Sequence, residues 1–152
     1  MERIRVIPTL LLKSDGLVKT VKFNNPRYVG DPVNTVKIFN EKEVDEIVVL
    51  DIQASKEDRG PRMEKIAEIA GECFMPMGYG GGVTTVEQIH DILFSGAEKV
   101  ILNSAVWTST GLINEAAQSF GSQSVAVSID AKKKMFGGYA VMSHGGTRKT
   151  RW

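Results

Sequence analysis

Three consecutive glycines, Gly80, Gly81 and Gly82, stand between an apolar run that ends at Tyr79 and a helix start with a capping hydroxyl at residues 84–87. Backbone amides without side chains, together with the positive end of a helix dipole, favour a negatively charged group above such a turn. A glycine triplet can also serve as a tight turn that binds nothing. The triplet therefore predicts either a phosphate site or a simple turn.

Asn103 and Ser104 favour the phosphate interpretation, because they follow the next strand along the chain. In a parallel sheet that strand lies beside the strand that leads to the glycines, so both sets of residues meet at one edge. A side-chain amide and a hydroxyl are suitable ligands for the oxygens of a phosphate monoester. Two adjacent strand ends that form one anion site are more specific than the glycines alone.

Asp51 and Asp130 each close a strand of branched apolar residues, so both carboxylates are expected at the same end of the sheet. A carboxylate there can act as a general acid or base if burial raises its pKa towards neutrality. The alternative for each is a structural cap on an amide of the neighbouring loop.

Arg5, Glu46 and Lys99 lie at the opposite, amino-terminal ends of three predicted strands. In a barrel, alternating charges at that end form a ring of salt bridges that plugs the bottom. The alternative is a set of solvated strand starts.

The remaining polar residues give weaker signals. Lys13 and Lys19 flank a long first loop, where lysines are usually solvated but can reach a phosphate. His90 and His144 have no cysteine or histidine neighbours at metal-ligand spacing, so neither a metal nor a cofactor is predicted. The lysines at 132–134 predict a solvated hairpin rather than a nucleic-acid site.

The elements that must position these residues alternate between strand and helix. Residues 4–12 are nearly continuous apolar residues, as in a strand buried on both faces, and residues 13–30 are predicted as a polar loop. Further strands are predicted over 47–52, 73–77, 99–102 and 125–129, helices over 31–43, 61–71, 85–94 and 110–120, and a hairpin over 132–141. This order predicts an α/β fold, either a doubly wound sheet or a (β/α)8 barrel.

Length and composition indicate one globular domain, residues 1–152, with a net charge of +1. The balanced charge gives no argument for binding to nucleic acid or to an anionic membrane. No apolar stretch approaches the ~20 residues that span a bilayer, so we expect a cytoplasmic location. The single cysteine, Cys73, is expected to be a packed thiol.

Several motifs resemble the cyclase subunit of imidazole glycerol phosphate synthase, and the resemblance covers about residues 3 to 150. They are Ile7-Pro8-Thr9-Leu10, Gly16-Leu17-Val18-Lys19, Gly30-Asp31-Pro32, Asp45-Glu46 through Leu50-Asp51-Ile52, Gly80-Gly81-Gly82-Val83, Gly96-Ala97-Glu98-Lys99-Val100, Leu102-Asn103-Ser104-Ala105 and Phe120-Gly121-Ser122-Gln123-Ser124-Val125 to Ile129-Asp130-Ala131-Lys132.

The resemblance implies a (β/α)8 barrel of two similar halves, each with a phosphate site, which receives ammonia from a glutaminase partner docked at the bottom. It implies that Asp130 is one of two catalytic aspartates and that Lys19 belongs to a loop that closes over substrate. The implied phosphate site of the first half comprises Gly81, Gly82, Asn103 and Ser104, and we add Asp51 to it as a candidate. The implied ammonia gate comprises Arg5, Glu46 and Lys99, with Glu98 and Gln123 near the glutaminase interface.

Position 11 departs from the family pattern, because Leu11 stands where the other catalytic aspartate belongs. Leucine cannot transfer a proton, so cyclisation by an aspartate pair should lose orders of magnitude in rate. Residues 10–23 look instead like a branch of the family that works with a glutaminase-like partner to amidate or acetamidinate surface-polysaccharide sugars. The histidine-pathway cyclase and a non-catalytic phosphate-binding or partner-docking fragment remain the alternatives.

Length is a second departure. The chain provides strands one to five, helices one to four and a hairpin, which is the first half of a barrel plus strand five. An open five-stranded sheet exposes an apolar edge. We therefore expect a truncated product, a frameshift near residue 151, or a half-barrel that pairs with another copy or chain.

Overall fold

The computed structural model describes residues 4–135 and 137–151 and contains a large and a small β-sheet. The large sheet has the strand order β3-β2-β1-β4-β5-β6-β7. Its strands are β1 (Thr9–Lys13), β2 (Gly16–Val21), β3 (Asn24–Gly30), β4 (Ile47–Asp51), β5 (Met77–Gly80), β6 (Lys99–Leu102) and β7 (Val125–Val127). Strands β1, β4, β5, β6 and β7 are parallel, whereas β2 and β3 are antiparallel to their neighbours.

Four α-helices cover one face of the parallel strands: α1 (Pro32–Glu41), α2 (Met63–Ala70), α3 (Val86–Phe94) and α4 (Gly111–Phe120). All four predicted helices are confirmed within about two residues at each end. Asp31 caps α1 by accepting a 2.9 Å hydrogen bond from the Asn34 amide, and Thr85 and Gln88 form a capping box at α3. None of the described helices combines the length and the apolar character that crossing a membrane requires.

The hydrophobic core lies between the helices and this face of the sheet. Alternate strand residues such as Ile47 and Val49 of β4 and Val100 and Leu102 of β6 are buried there. Their neighbours along each strand project from the opposite face, which the helices do not cover. Alternation of parallel strand and helix in this order confirms the predicted α/β fold, that of a partial (β/α)8 barrel.

The predicted polar loop over residues 13–30 is wrong, because the segment forms β2 and β3. Strand β2 pairs with β1 and buries Leu17 to 2 % exposure. The two strands are joined at Lys22 and Phe23, with φ of 51° and 64°. Both φ values are positive, as in a tight two-residue hairpin turn, but the usual Asn-Gly signal is absent from this sequence.

The predicted strand over 73–77 is also displaced, since β5 begins at Met77 and continues through Gly80. Glycines at 78 and 80 are strand residues here because the neighbouring strand approaches closely. A Cβ at Gly78 would lie 2.9 Å from Ile101 Cδ1, and a Cβ at Gly80 would lie 2.9 Å from the Ile101 carbonyl oxygen. Only Gly81 and Gly82 form the turn, with φ of 125° and 70°.

The first strand is shorter than predicted, because the regular ladder begins at Thr9 rather than at Ile4. Pro8 has no N–H to donate, although its carbonyl accepts a 2.9 Å hydrogen bond from the Val48 amide.

The small sheet confirms the predicted hairpin. It consists of β8 (Asp130–Lys133), β9 (Tyr139–Ser143) and β10 (Arg148–Lys149), all antiparallel. The third strand and the turn that precedes it place residues 144–146 above the carboxyl end of the large sheet.

Candidate functional site

A cavity of about 160 Å³, here called the inner cavity, lies at the carboxyl ends of the parallel strands. Leu11, Leu50 and Ile101 form an apolar wall, and Asn103 and Asp130 face the same space. Apolar walls with a few convergent polar groups are typical of small-molecule sites. The structure thus brings together residues from the ends of β1, β4, β6 and β7, as the sequence predicts.

Asp130 and Asp51 both line the inner cavity, and the Asp51 carboxylate is fully buried and paired with Arg59. Burial raises the pKa of Asp130, and a hydrogen bond from the Asn103 side chain partly opposes this increase. The net shift is upward, so the carboxyl group holds its proton more readily than an exposed aspartate does. A group of this kind can accept and return a proton.

Leu11 occupies the position from which β1 could supply a second carboxylate. It pairs with Leu50 of β4 and with Val18 of β2, and its side chain belongs to the apolar wall. The inner cavity therefore combines an aspartate on β8 with a hydrocarbon surface on β1.

Two turns cover the inner cavity. Phe23 of the β2–β3 turn lies against the β9–β10 turn, where a Cβ at Gly146 would be 3.3 Å from the Phe23 ring. The adjacent Gly145 lies beside Lys56 of the β4–α2 loop. Phe23, Lys56 and Gly145 all line the cavity.

A second cavity of about 330 Å³, here called the outer cavity, lies on the other side of the glycine turn. Gly81 faces the inner cavity and Gly82 the outer one, whereas Ser104 lines both. The four predicted phosphate-site residues are therefore brought together at one sheet edge but divided between two spaces. Their binding role remains a prediction.

Close backbone packing is one reason for glycine at positions 81 and 82. A Cβ at Gly81 would overlap the Asp51 carbonyl oxygen, and a Cβ at Gly82 would overlap the Arg59 carbonyl oxygen. Both residues also have positive φ, which disfavours any side chain. The turn interpretation and the phosphate interpretation are compatible, because the same packing leaves the turn without side chains.

His144 is a site residue that sequence reasoning left without a role. Its backbone amide donates a 2.9 Å hydrogen bond to Ser104 Oγ, and its ring lies 3.1 Å from Ser143 Oγ and 3.2 Å from Arg148 Nη1. The φ of His144 is 52°, in the left-handed region. The following Gly145-Gly146 pair was the one available signal of a turn at this position.

Asp51 is the last residue of β4, and its carboxylate is fully buried. Its Oδ1 accepts hydrogen bonds from the amides of Gln53 and Ala54 at 3.0 and 3.2 Å, and Arg59 Nη2 lies 3.0 Å from both carboxylate oxygens. Arg62 Nε lies 3.7 Å from Oδ2. These contacts match the structural alternative stated above, while ligand binding by Asp51 stays a prediction.

The amino-terminal ends of the strands carry the predicted charge cluster. Glu46 is 3 % exposed, with Oε2 2.9 Å from Arg5 Nη2 and Oε1 2.8 Å from Lys99 Nζ. Glu98 and Gln123 are exposed at the same end of the sheet. The geometry favours the salt-bridged arrangement over solvated strand starts, and the gate and interface roles remain predictions.

Lys19 is exposed on β2 and paired with Arg27 in the register of β3. Lys19 is not among the described residues that line the inner or the outer cavity. Its predicted contact with substrate stays a prediction. Residues 4–135 and 137–151 contain no cluster of three or more acidic, histidine or cysteine residues arranged to hold a metal ion.

Known proteins are similar in sequence to this chain over most of its length. The family model described as "Histidine biosynthesis protein" matches residues 5–152. A Pseudomonas aeruginosa protein named "Putative imidazole glycerol phosphate synthase subunit hisF2" is 57% identical over 97% of the chain and 59% of its own length. The "Putative imidazole glycerol phosphate synthase subunit HisF" of Leptospira borgpetersenii is 50% identical over 99% of the chain and 59% of its own length.

A third relative, the "Imidazole glycerol phosphate synthase subunit HisF" of Petrotoga mobilis, is 46% identical over 96% of the chain and 58% of its own length. The chain thus spans about three fifths of the length of these relatives.

Proposed function

The chain belongs to the histidine biosynthesis protein family, and from that membership and the geometry of its site we propose an ammonia-using subunit that acts on a phosphorylated or sugar substrate. The proposed partner is a glutaminase that supplies the ammonia. The proposed process is the amidation or acetamidino modification of surface-polysaccharide sugars.

The observation that carries this proposal is the pairing of Asp130 with an apolar wall that includes Leu11. A two-aspartate cyclisation would need a carboxylate at Leu11, and leucine supplies none. The chemistry proposed for this site therefore uses one carboxylate beside an anion-binding turn.

In the proposed reaction, ammonia adds to a carbonyl carbon of the substrate and forms a carbon–nitrogen bond, while the carbon–oxygen π bond breaks and its electron pair passes to the oxygen, which takes up a proton. The nitrogen then loses a proton to the Asp130 carboxylate. The upward-shifted pKa of Asp130 supports this role, because it makes the carboxylate a better proton acceptor. Gly81, Gly82 and the Asn103–Ser104 pair would hold the phosphate and so fix the reacting carbon near Asp130.

The proposed ammonia path enters at the amino-terminal ends of the strands. The Arg5, Glu46 and Lys99 ion pairs would form its gate, and the exposed Glu98 and Gln123 would contact the glutaminase. Close ion pairing of a buried glutamate supports a gate, since opening it requires two salt bridges to separate.

The histidine-pathway cyclase is the second candidate, and the names of the relatives favour it. Leu11 weighs against it. A third candidate, a non-catalytic phosphate-binding fragment, would bind phosphates without turnover.

A comparison of two classes of ligand tests the proposal. Thermal-shift titrations of the full chain with phosphorylated amino sugars and with ribonucleotide phosphates should give the larger stabilisation with the sugars. A larger stabilisation by the ribonucleotides would favour the histidine pathway. Stabilisation by neither class would contradict phosphate binding at this edge, and a sugar shift without turnover in the presence of ammonium would favour the non-catalytic candidate.

A further inference from the structure

We propose that Arg59 is an anion ligand of the outer cavity, beyond the glycine, asparagine and serine residues assigned above. This inference rests on the proposed function, because the anion is the substrate's phosphate group. Arg59 lies in the β4–α2 loop and lines the outer cavity together with Gly82 and Ser104.

The guanidinium of Arg59 is fixed on two sides and unpaired on the third. Its Nε lies 2.7 Å from Glu57 Oε2 and its Nη2 lies 3.0 Å from Asp51 Oδ1. Its Nη1 is buried and has no hydrogen-bond partner among the described residues. A buried donor without an acceptor is unfavourable, so an oxygen supplied by a ligand would complete the set.

The Arg59 side chain is 27 % exposed and already forms part of the cavity wall. In the proposed complex the guanidinium turns so that Nη1 reaches a ligand oxygen in the cavity. Asp51 and Glu57 limit that rotation, so the group is held close to its binding orientation.

Ser104 supplies a second donor to the same space. Its Oγ already accepts a hydrogen bond from the His144 amide, so its own hydroxyl proton is available to a ligand. The Gly82 turn lies beside both groups with no side chain to block access.

The donors available to a ligand point to an oxyanion. The hydroxyl protons of Thr84 and Thr108 are already donated to acceptors within the protein. Among the described residues that line this cavity, Arg59 is the only arginine, and there is no lysine. Ser55 and Ser104 add hydroxyl groups to the same lining. Guanidinium and hydroxyl donors together match the acceptor-only oxygens of a phosphate.

Asp58 is the opposing charge, because its exposed carboxylate lines the same cavity. Because this carboxylate repels a bound anion, its removal should strengthen binding, which a merely disruptive substitution would not do. The variant Asp58→Asn should bind phosphate about two- to fivefold more tightly at low salt, and the gain should shrink as ionic strength rises.

Isothermal titration with inorganic phosphate provides the main test, with Arg62 as the matched control. Arg62 also lies near Asp51, but it pairs with Asp15 and the Ser14 carbonyl and does not line the outer cavity. Arg59→Lys should weaken phosphate binding about tenfold, since lysine cannot reproduce the guanidinium fork. Arg62→Lys should leave the affinity within about twofold.

Each outcome separates this inference from the proposed function. Equal affinities of wild type and Arg59→Lys, or an unchanged affinity of Asp58→Asn, would overturn the role of Arg59. If Ser104→Ala weakens binding while Arg59→Lys does not, the phosphate site stands without Arg59. Wild-type protein that binds no phosphate would overturn both the inference and the phosphate site.

Discussion

Lys99 Nζ lies 2.8 Å from Glu46 Oε1, which joins the amino ends of two strands separated by a third. Arg5 contacts the other carboxylate oxygen, so a glutamate that is 3 % exposed has both oxygens paired. We therefore expect that removing the Glu46 carboxylate destabilises the sheet, apart from the role proposed for the cluster as a gate.

Glu46→Gln should destabilise the fold by about 1–3 kcal/mol, because the variant leaves two cations without a countercharge near a buried site. Urea unfolding measures the change. Glu98→Gln is the control, since Glu98 is exposed, and it should stay within about 0.5 kcal/mol of wild type. Equal effects of the two substitutions would show that the ion pairs contribute no net stability.

Gly82→Ala should destabilise the fold by about 2–4 kcal/mol, because the new Cβ would meet the Arg59 carbonyl at a positive φ. Gly111→Ala is the matched control. Position 111 begins α4, and a Cβ added there would have no heavy atom within 4 Å, so this change should be neutral or stabilise by up to ~1 kcal/mol. Thermal or urea unfolding that ranked the two variants in the opposite order would contradict the packing described for the glycine turn.

Asn103→Ala should raise the pKa of Asp130 further. Burial raises this pKa and the Asn103 hydrogen bond lowers it, so removing the hydrogen bond leaves burial unopposed. The 13C resonance of the Asp130 carboxyl, followed by NMR across a pH titration, reports the shift directly. A pKa that falls or stays constant in the variant would contradict the contact.

The raised pKa of Asp130 also determines whether the stability of the fold rises or falls with pH. Because the folded protein binds the Asp130 proton more tightly than the unfolded chain, stability from this group falls as pH rises from the ordinary value of 3.8 through the raised pKa. Asp130→Asn should remove that loss, and so should stabilise the fold more at neutral pH than below about pH 3.5. Urea unfolding of both proteins across this pH range measures the difference, and a pH-independent difference would contradict the raised pKa.

Cys73 should react slowly with alkylating reagents. Burial raises the pKa of the thiol from 9.0 to about 11, so the thiolate fraction at pH 8 is about 100-fold smaller than for an unperturbed cysteine. Iodoacetamide labelling, followed by mass spectrometry, should be slower by that factor in native protein than in guanidinium-unfolded protein. Equal rates would indicate that the thiol is not protected by packing.

The elements predicted accurately from the sequence are those whose ends are marked by capping or charged residues. Asp31-Pro32 and Thr85 with Gln88 mark two of the helix starts. The strand 99–102 begins at Lys99 and continues with three apolar residues. The β2–β3 hairpin could not be predicted, because its turn residues Lys22 and Phe23 have positive φ without the Asn-Gly or Asp-Gly pair that usually marks such a turn.

The candidate site was only partly predictable for a similar reason. Asn103, Ser104 and Asp130 follow strand ends, where the topology alone brings them together. The hydrogen bond from His144 to Ser104 and the unpaired Arg59 nitrogen depend on how distant loops fold back over the sheet. No local pattern reports such contacts.

Incorporation of 15N from ammonium into a phosphorylated sugar, measured by mass spectrometry, tests most directly the claim that Asp130 alone serves ammonia chemistry at this edge. We predict label in the product of the wild-type chain, a loss of about 100-fold or more in Asp130→Asn, and no cyclase turnover gained by Leu11→Asp. Undiminished labelling by Asp130→Asn, or strong cyclase turnover by Leu11→Asp with no labelling of sugars by wild type, would contradict the claim.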